Sequence, residues 1–355
     1  MRLARVLGAC LVLLPLPLDQ ARAEVPAIEV QEVADTGSMP KGALLSRDGT
    51  RFYVTNFGNR NGGNVTVYDV HTLKRLATID VPGIVVESVL SPDGTVLYVS
   101  NFEKNEVQAI DLATKRVKRE FPAGLHPKIM VLSDDGTKLF AANWNGESVT
   151  EIDTATGKTI RTLRVGVHPR GMALTHEGKL YVANFDGASI DVFDGPDLGH
   201  TYRLAVCRIP RHLALSPDQR TLYISCYHDS EVHALDVATE LVTHVVKVGT
   251  NPKSLEVTRD GRYVYSADYG EEAHGLSVID TSDWTARIFS IPGMDRGSGI
   301  AVTPDGEHAL VTGWYDNHVY LVGFEGTGGH PADALNKIQA WARRPHYHPP
   351  KAPGE

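Results

Sequence analysis

The chain repeats itself. Ser91-Pro92-Asp93-Gly94 leads into Leu97-Tyr98-Val99-Ser100-Asn101-Phe102 and then into Glu106-Val107-Gln108-Ala109-Ile110-Asp111. The same order returns with Asp135-Gly136, Phe140-Ala141-Ala142-Asn143-Trp144 and Val149-Thr150-Glu151-Ile152-Asp153, and again around Tyr181-Val182-Ala183-Asn184-Phe185. Anchored on the turn acids Asp48, Asp93, Asp135, Glu177, Asp218, Asp260 and Asp305, the copies are spaced by about 45, 42, 42, 41, 42 and 45 residues. A period near 40–45 residues carrying several short strands is the mark of a propeller. Within one copy, Val107, Ala109 and Asp111 alternate with Gln108 and Ile110, as a strand with two distinct faces requires. Asp-Gly pairs make the tight turns, because glycine takes positive φ without steric penalty.

Each copy therefore reads as four antiparallel strands, A to D, and seven anchors predict seven blades. One blade cannot bury both faces alone; radial stacking does so. The last copy stops after its third strand, near His318-Val319-Tyr320-Leu321-Val322. Ile28-Glu29-Val30-Gln31-Glu32-Val33 is an alternating strand with no blade of its own. It is predicted to complete blade seven, which removes an open sheet edge. The expected fold is all-β, a seven-bladed propeller closed by its N-terminal strand.

Tyr53-Val54-Thr55-Asn56, together with Ser91-Pro92-Asp93-Gly94 and Val278-Ile279-Asp280, resembles the YVTN family of β-propeller repeat proteins. The resemblance covers roughly residues 28–323. It is specific for fold and weak for function. It implies relatives among surface-layer and periplasmic binding proteins, and more distant ones among seven-bladed lactonases and lyases.

Residues 1–23 read as an export signal: Arg2 and Arg5, an apolar run from Val6 to Leu18, and Ala21-Arg22-Ala23 as the cleavage site. The expected destination is a bacterial periplasm or beyond. The apolar run is too short to span a bilayer comfortably, and no other segment is long enough. Residues 24–325 form the expected propeller. Residues 326–355 form a tail with a short amphipathic helix over Ala332–Arg343 and with His330, His346 and His348, whose ordinary reading is an irregular terminus. Net charge is −8, which argues against general nucleic-acid binding. No P-loop, dinucleotide-type glycine turn, G-x-S-x-G or haem-attachment motif is present. The sequence implies no particular cofactor and no metal site, and a monomer is expected.

Two columns emerge when the copies are aligned. The first sits at the start of strand A: Met39-Pro40-Lys41, Ile84-Val85-Val86-Glu87, His126-Pro127-Lys128, His168-Pro169-Arg170, Ile209-Pro210-Arg211-His212, Asn251-Pro252-Lys253 and Arg296-Gly297-Ser298. Symmetry turns this column into a basic ring at one channel mouth of an acidic protein. Lys41, Lys128, Arg170, Arg211, His212, Lys253 and Arg296 are the candidate ligand-binding residues, for a small anion or an acidic segment of a partner protein. The plainer reading is that these residues serve a repeat consensus and point into solvent. The alternative use is catalysis by a lactonase or lyase on a carboxylated substrate: His126 or His168 as base, Glu87 as second acid–base group, Arg170 and Arg211 as electrophilic clamps. His126, His168 and His212 could also hold a metal, and a scaffold with no small ligand is a third possibility. The second column is aromatic: Phe57, Phe102, Trp144, Phe185, Tyr227, Tyr269 and Trp314. It reads first as inter-blade packing and second as a collar around a ligand. Finally, Cys207, placed at the start of strand A in blade five, and Cys226, at the end of strand B, fall at the same end of one blade. They can form a disulfide if their α-carbons approach within about 7 Å.

Overall fold

The computed structural model describes residues 28–324 except 196 and 272–274; the readings made for the N-terminal signal and the C-terminal tail lie outside the described residues. Seven four-stranded antiparallel sheets are present, six of them in simple sequence order. Blade two is representative, with strands Val85–Leu90, Val96–Asn101, Glu106–Asp111 and Arg116–Pro122. The seventh sheet combines Gly297–Val302, His308–Gly313 and His318–Phe324 with the N-terminal strand Ile28–Asp35, which pairs antiparallel from Ile28↔Phe324 to Asp35↔His318. Closure by the N-terminal strand is thus as the alternation predicts.

Strands B and C bury both faces, because each blade is packed between two others. In Glu106–Asp111 all but the first residue are buried, so its two alternating faces are both interior. The apolar clusters follow the same logic. Tyr53, Val65 and Ile79 of blade one pack on Val85, Leu97, Val99 and Ile110 of blade two, and Tyr265, Leu276 and Val278 of blade six pack on Ile300, Val311 and Tyr320 of blade seven. The repeated acid-glycine turn is held by its own side chains. Asp48 accepts the N–H of Thr50 at 3.0 Å and hydrogen bonds from Ser46 and Thr50 hydroxyls, which together pull its carboxyl down to about 2.

A second device ties the loop before strand A to strands B and C. In blade three the Gly124 N–H donates to Asn143 Oδ1 at 3.0 Å and to Thr150 Oγ1 at 3.2 Å, while Asn143 Nδ2 donates to Thr150 at 2.9 Å. Blade one repeats it with Gly37, Asn56 and Thr66, while in blade four both the Gly166 N–H and Asn184 Nδ2 donate to Asp191. The glycine is required by the close approach: a Cβ on Gly124 would sit 2.6 Å from Asn143 Cγ. Blade six substitutes Asp268 for the asparagine, with Ser277 as its partner. Blade five substitutes Cys207 for the glycine and Cys226 for the asparagine, and the two are disulfide-bonded with α-carbons 5.7 Å apart. Cys207 lies in the loop three residues before strand A, which begins at Pro210, and not at the strand start itself.

Two outcomes follow. Deleting the N-terminal strand Ile28–Asp35 leaves blade seven with three strands and exposes the edge of His318–Phe324. We expect the truncated chain to unfold at a midpoint lower by at least about 5 °C and to associate, as read by calorimetry and light scattering. Burial raises the Asp268 carboxyl to about 7, above its unfolded value, so its contribution to stability is present at low pH and declines as pH rises toward 7. Asp268→Asn restores the residue used in blades one to four. Its stability advantage over the parent chain should grow between pH 4 and 7 to a few kcal/mol, on the order set by that shift, and stay flat above, in urea titrations at each pH.

Candidate functional site at the channel mouth

Every strand A carries a register irregularity at its first turn, between Pro40 and Ala43, Val85 and Ser88, Pro127 and Met130, Pro169 and Met172, Pro210 and Leu213, Pro252 and Ser254, and Gly297 and Ile300. An extra residue in one strand of an antiparallel pair re-aims a side chain. Here the segment containing the bulge includes the basic column. The N–H groups displaced from the ladder are taken up by hydroxyls of strand B: Gly42 by Thr55 at 2.8 Å, His212 by Ser225 at 2.8 Å and Gly299 by Thr312 at 2.8 Å.

The residue before strand A is left-handed in six blades, and none of these six is glycine: Met39 (φ 52°), His126 (58°), His168 (53°), Ile209 (56°), Asn251 (56°) and Arg296 (65°). This conformation is unfavourable for side-chain-bearing residues, most of all for a β-branched one. Its return is a hydrogen bond. In all seven blades the carbonyl of this residue, or of Ile84 in blade two, accepts the N–H of the aromatic residue that follows strand B, at 2.8–3.1 Å.

The aromatic column thereby becomes a collar. Successive ring centroids are 6.1 Å apart for Phe102–Phe57, 5.7 Å for Phe57–Trp314, 6.4 Å for Trp314–Tyr269, 6.5 Å for Tyr269–Tyr227, 6.1 Å for Tyr227–Phe185 and 5.1 Å for Phe185–Trp144. The remaining interval, between Trp144 and Phe102, is bridged by Lys128, whose ammonium is 3.5 Å from one centroid and 5.5 Å from the other.

The basic column packs against this collar. Lys41 lies 4.8 Å from the centroid of Phe57, Arg170 lies 5.5 Å from Trp144 and 5.7 Å from Phe185, Arg211 lies 5.0 Å from Tyr227, and Lys253 lies 4.0 Å from both Tyr269 and Trp314. Cation–π contact offsets part of the desolvation. Only part, because Lys41, Arg170, Arg211 and Lys253 are 6–8% exposed, and burying like charges together is expensive. Burial and the neighbouring cations hold Lys253 and Arg211 well below their usual basicity. Arg211 Nε is buried without a hydrogen-bond partner.

Glu87 is the acidic member of this group. Burial raises its carboxyl, against the pull of Lys41, Arg170, Lys253 and Arg211. Its space depends on Gly42, where a Cβ would come within 2.7 Å of Glu87 Oε2. Lys41, Glu87, His212, Ser254 and Glu256 line a cavity of about 120 Å³. His212 Nδ1 accepts the N–H of Leu255 at 3.3 Å, and burial beside Arg211 and Arg170 lowers the ring to about 4. At neutral pH it is therefore uncharged with its proton on Nε2, a donor. Deeper in the channel, Glu256 is raised to about 7 by burial alone. Together with Ala43 it also lines a second cavity of about 230 Å³ that reaches Arg47 and Arg259.

The other candidates sit elsewhere. His126 stacks on Phe102 at 4.1 Å and contacts Asn145 at 2.7 Å. His168 stacks on Trp144 at 4.5 Å and pairs with Asp186. Both are half-buried at the rim. Arg296 pairs with Glu271 and lies 5.2 Å from Tyr269 and 5.0 Å from Tyr315. Among the described residues, the three histidines of this column do not converge as a ligand set. Glu256 was not legible as a site residue. It stands three positions after Lys253, and nothing in the repeat marks it except an acid between the apolar Leu255 and Val257.

Fold and mouth define the class: a seven-bladed β-propeller with a basic channel mouth walled by aromatic rings. Within that class the chain is similar to the YVTN/YncE-like repeat proteins. Residues 23–180 match the family model described as YNCE-like beta-propeller, and residues 194–286 match that of Lactonase, 7-bladed beta-propeller. Antigen Lp49 of Leptospira interrogans is 30% identical over 107 residues, which is 26% of this chain and 24% of that protein. The 6-phosphogluconolactonase of Yersinia pestis is 29% identical over 108 residues, covering 29% of this chain and 32% of the enzyme. The chain thus matches 24–32% of the length of these curated relatives. A solved chain of Kuenenia stuttgartiensis hydrazine synthase superposes with a TM-score of 0.71 over 82% of this chain and 97% of its own, at 18% identity, a likeness of fold alone.

Proposed function

We propose that the channel mouth binds a small anion, a carboxylate or phosphate compound, seated among Lys41, Lys128, Arg170, Arg211 and Lys253. The observation that carries this reading is that four buried cations crowd around one carboxylate, Glu87, beneath an aromatic collar. A guest anion adds negative charge beside these cations and an acceptor for Arg211 Nε. His212 donates from Nε2. The collar gives the ligand's carbon skeleton an apolar wall. Arg296, His126 and His168 belong to the rim, where they meet a ligand or an acidic protein segment first. The reading includes export directed by residues 1–23 and action as a monomer. Among the described residues no helix is long and apolar enough to cross a membrane.

A second reading is hydrolysis of a lactone at the same mouth. The match of residues 194–286 to the lactonase model favours it, as does the Yersinia relative's name. In this reading Glu87 acts as the base on water, and Arg170 and Arg211 polarise the carbonyl. Neutral His212, already holding its proton on Nε2, is a donor and not a base. His126 and His168 are separated from Glu87 in role by their rim partners.

Thermal unfolding against a panel of carboxylates, phosphates and lactones tests both. A ligand at about 100 times its dissociation constant adds about 2.7 kcal/mol, read as a shift of a few degrees. The shift should be confined to anions, shrink with salt and vanish in Arg170→Ala/Arg211→Ala. A flat panel sinks the binding reading. Turnover of a lactone, abolished in Glu87→Gln with the thermal shift retained, selects the second. The depressed basicity of Lys253 adds a pH signature. An anion favours the protonated amine, so binding takes up protons and affinity falls as pH rises. Calorimetric titration in two buffers of different ionisation enthalpy should report net proton uptake. Lys253→Met should reduce it.

A further inference from the structure

The clamp that ties loop, strand B and strand C has a different chemistry in blade five. Where blades one, three and four place glycine, asparagine and a polar residue of strand C, this blade places Cys207, Cys226 and His233. Cys226 pairs with Glu231 across the ladder, and His233 lies two residues on, toward the same face. The two sulfurs and a ring nitrogen of His233 all lie within 4.8 Å of one another. His233 Nε2 meets Glu231 Oε2 at 2.9 Å, and Glu231 is in turn held by Lys247 at 2.7 Å. The other ring nitrogen, Nδ1, is buried and has no hydrogen-bond partner. A histidine that donates one N–H to a carboxylate and leaves the opposite lone pair bare is oriented as metal-binding histidines are. The disulfide form of the protein gives that lone pair no use.

We propose that reduction of the Cys207–Cys226 disulfide converts this clamp into a binding site for one thiophilic metal ion, copper(I) foremost. A dithiol reductant supplies two electrons and two protons. The S–S bond breaks, each sulfur becomes a thiol, and the dithiol closes to its own disulfide. The ion then displaces both thiol protons, forming two metal–sulfur bonds and one bond to His233 Nδ1. Thiolate is the ligand form of cysteine, and a soft donor set selects copper(I) over magnesium, calcium or manganese. Three donors complete the preferred coordination of copper(I), whereas zinc needs a fourth. The site is independent of the channel mouth.

The test uses the full chain. Oxidised and dithiothreitol-reduced protein, desalted without oxygen, compete for copper(I) against a coloured copper(I) chelator. Circular dichroism of each sample checks that the fold persists. The reduced chain is expected to retain about one copper per molecule and the oxidised chain none above the level of Cys207→Ser/Cys226→Ser, which keeps Cys10 as the background. His233→Ala should weaken retention by about tenfold or more. His233→Gln, which keeps the volume, serves if the alanine variant unfolds. Retention unchanged by either substitution overturns the proposal, as does a reduced chain that binds no copper or loses its fold.

Discussion

The mouth depends on one backbone hydrogen bond made seven times. The residue before strand A offers its carbonyl to the N–H of the aromatic residue after strand B. In six blades a left-handed non-glycine residue aims that carbonyl. The bond fixes the end of strand B relative to the start of strand A. Collar and basic column, which come from different strands, are thereby held at one height in every blade. Backbone strain concentrated around a mouth is how propeller loops can hold side chains in fixed positions on a rigid scaffold.

Down the channel the chemistry changes by layers. Rings and cations come first, then Glu87 and His212, then Glu256. Each layer is a consequence of burial acting on a different group. Water is excluded from Lys253 and Arg211, which become less basic, and from Glu87 and Glu256, which become less acidic. The environment therefore narrows the difference between acids and bases, and small changes in occupancy move protons.

The fold was open to reading because its cause is periodic. Turn acids, alternating strands and an unpaired N-terminal strand all repeat or complete a pattern, and the ring follows. The positions of Lys41, Arg170, Arg211 and Lys253 were equally visible. Their direction was not, since it depends on a bulge that inserts one residue into an otherwise regular alternation. The collar was legible as a column but not as contact, because ring-to-ring distance is set by how blades pack. His126 and His168 illustrate the limit. They occupy the same column as the cations, yet stand one position before the proline, and that places them at the rim. The Cys207–Cys226 pair was readable from blade alignment. Its third member, His233, needed the strand register.

The N-terminal strand has a consequence for timing. Its partner, His318–Phe324, is the last strand of the propeller, about 290 residues later in the chain. Blades one and seven pack directly through Phe52, Val54, Leu310 and Val319, and that pairing adds the fourth strand of blade seven. The mouth draws on side chains from all seven blades, Trp314 of blade seven included. A chain emerging from synthesis carries the cations apart until the blades that bear them have stacked. Ring closure completes the crowding of charge at the mouth.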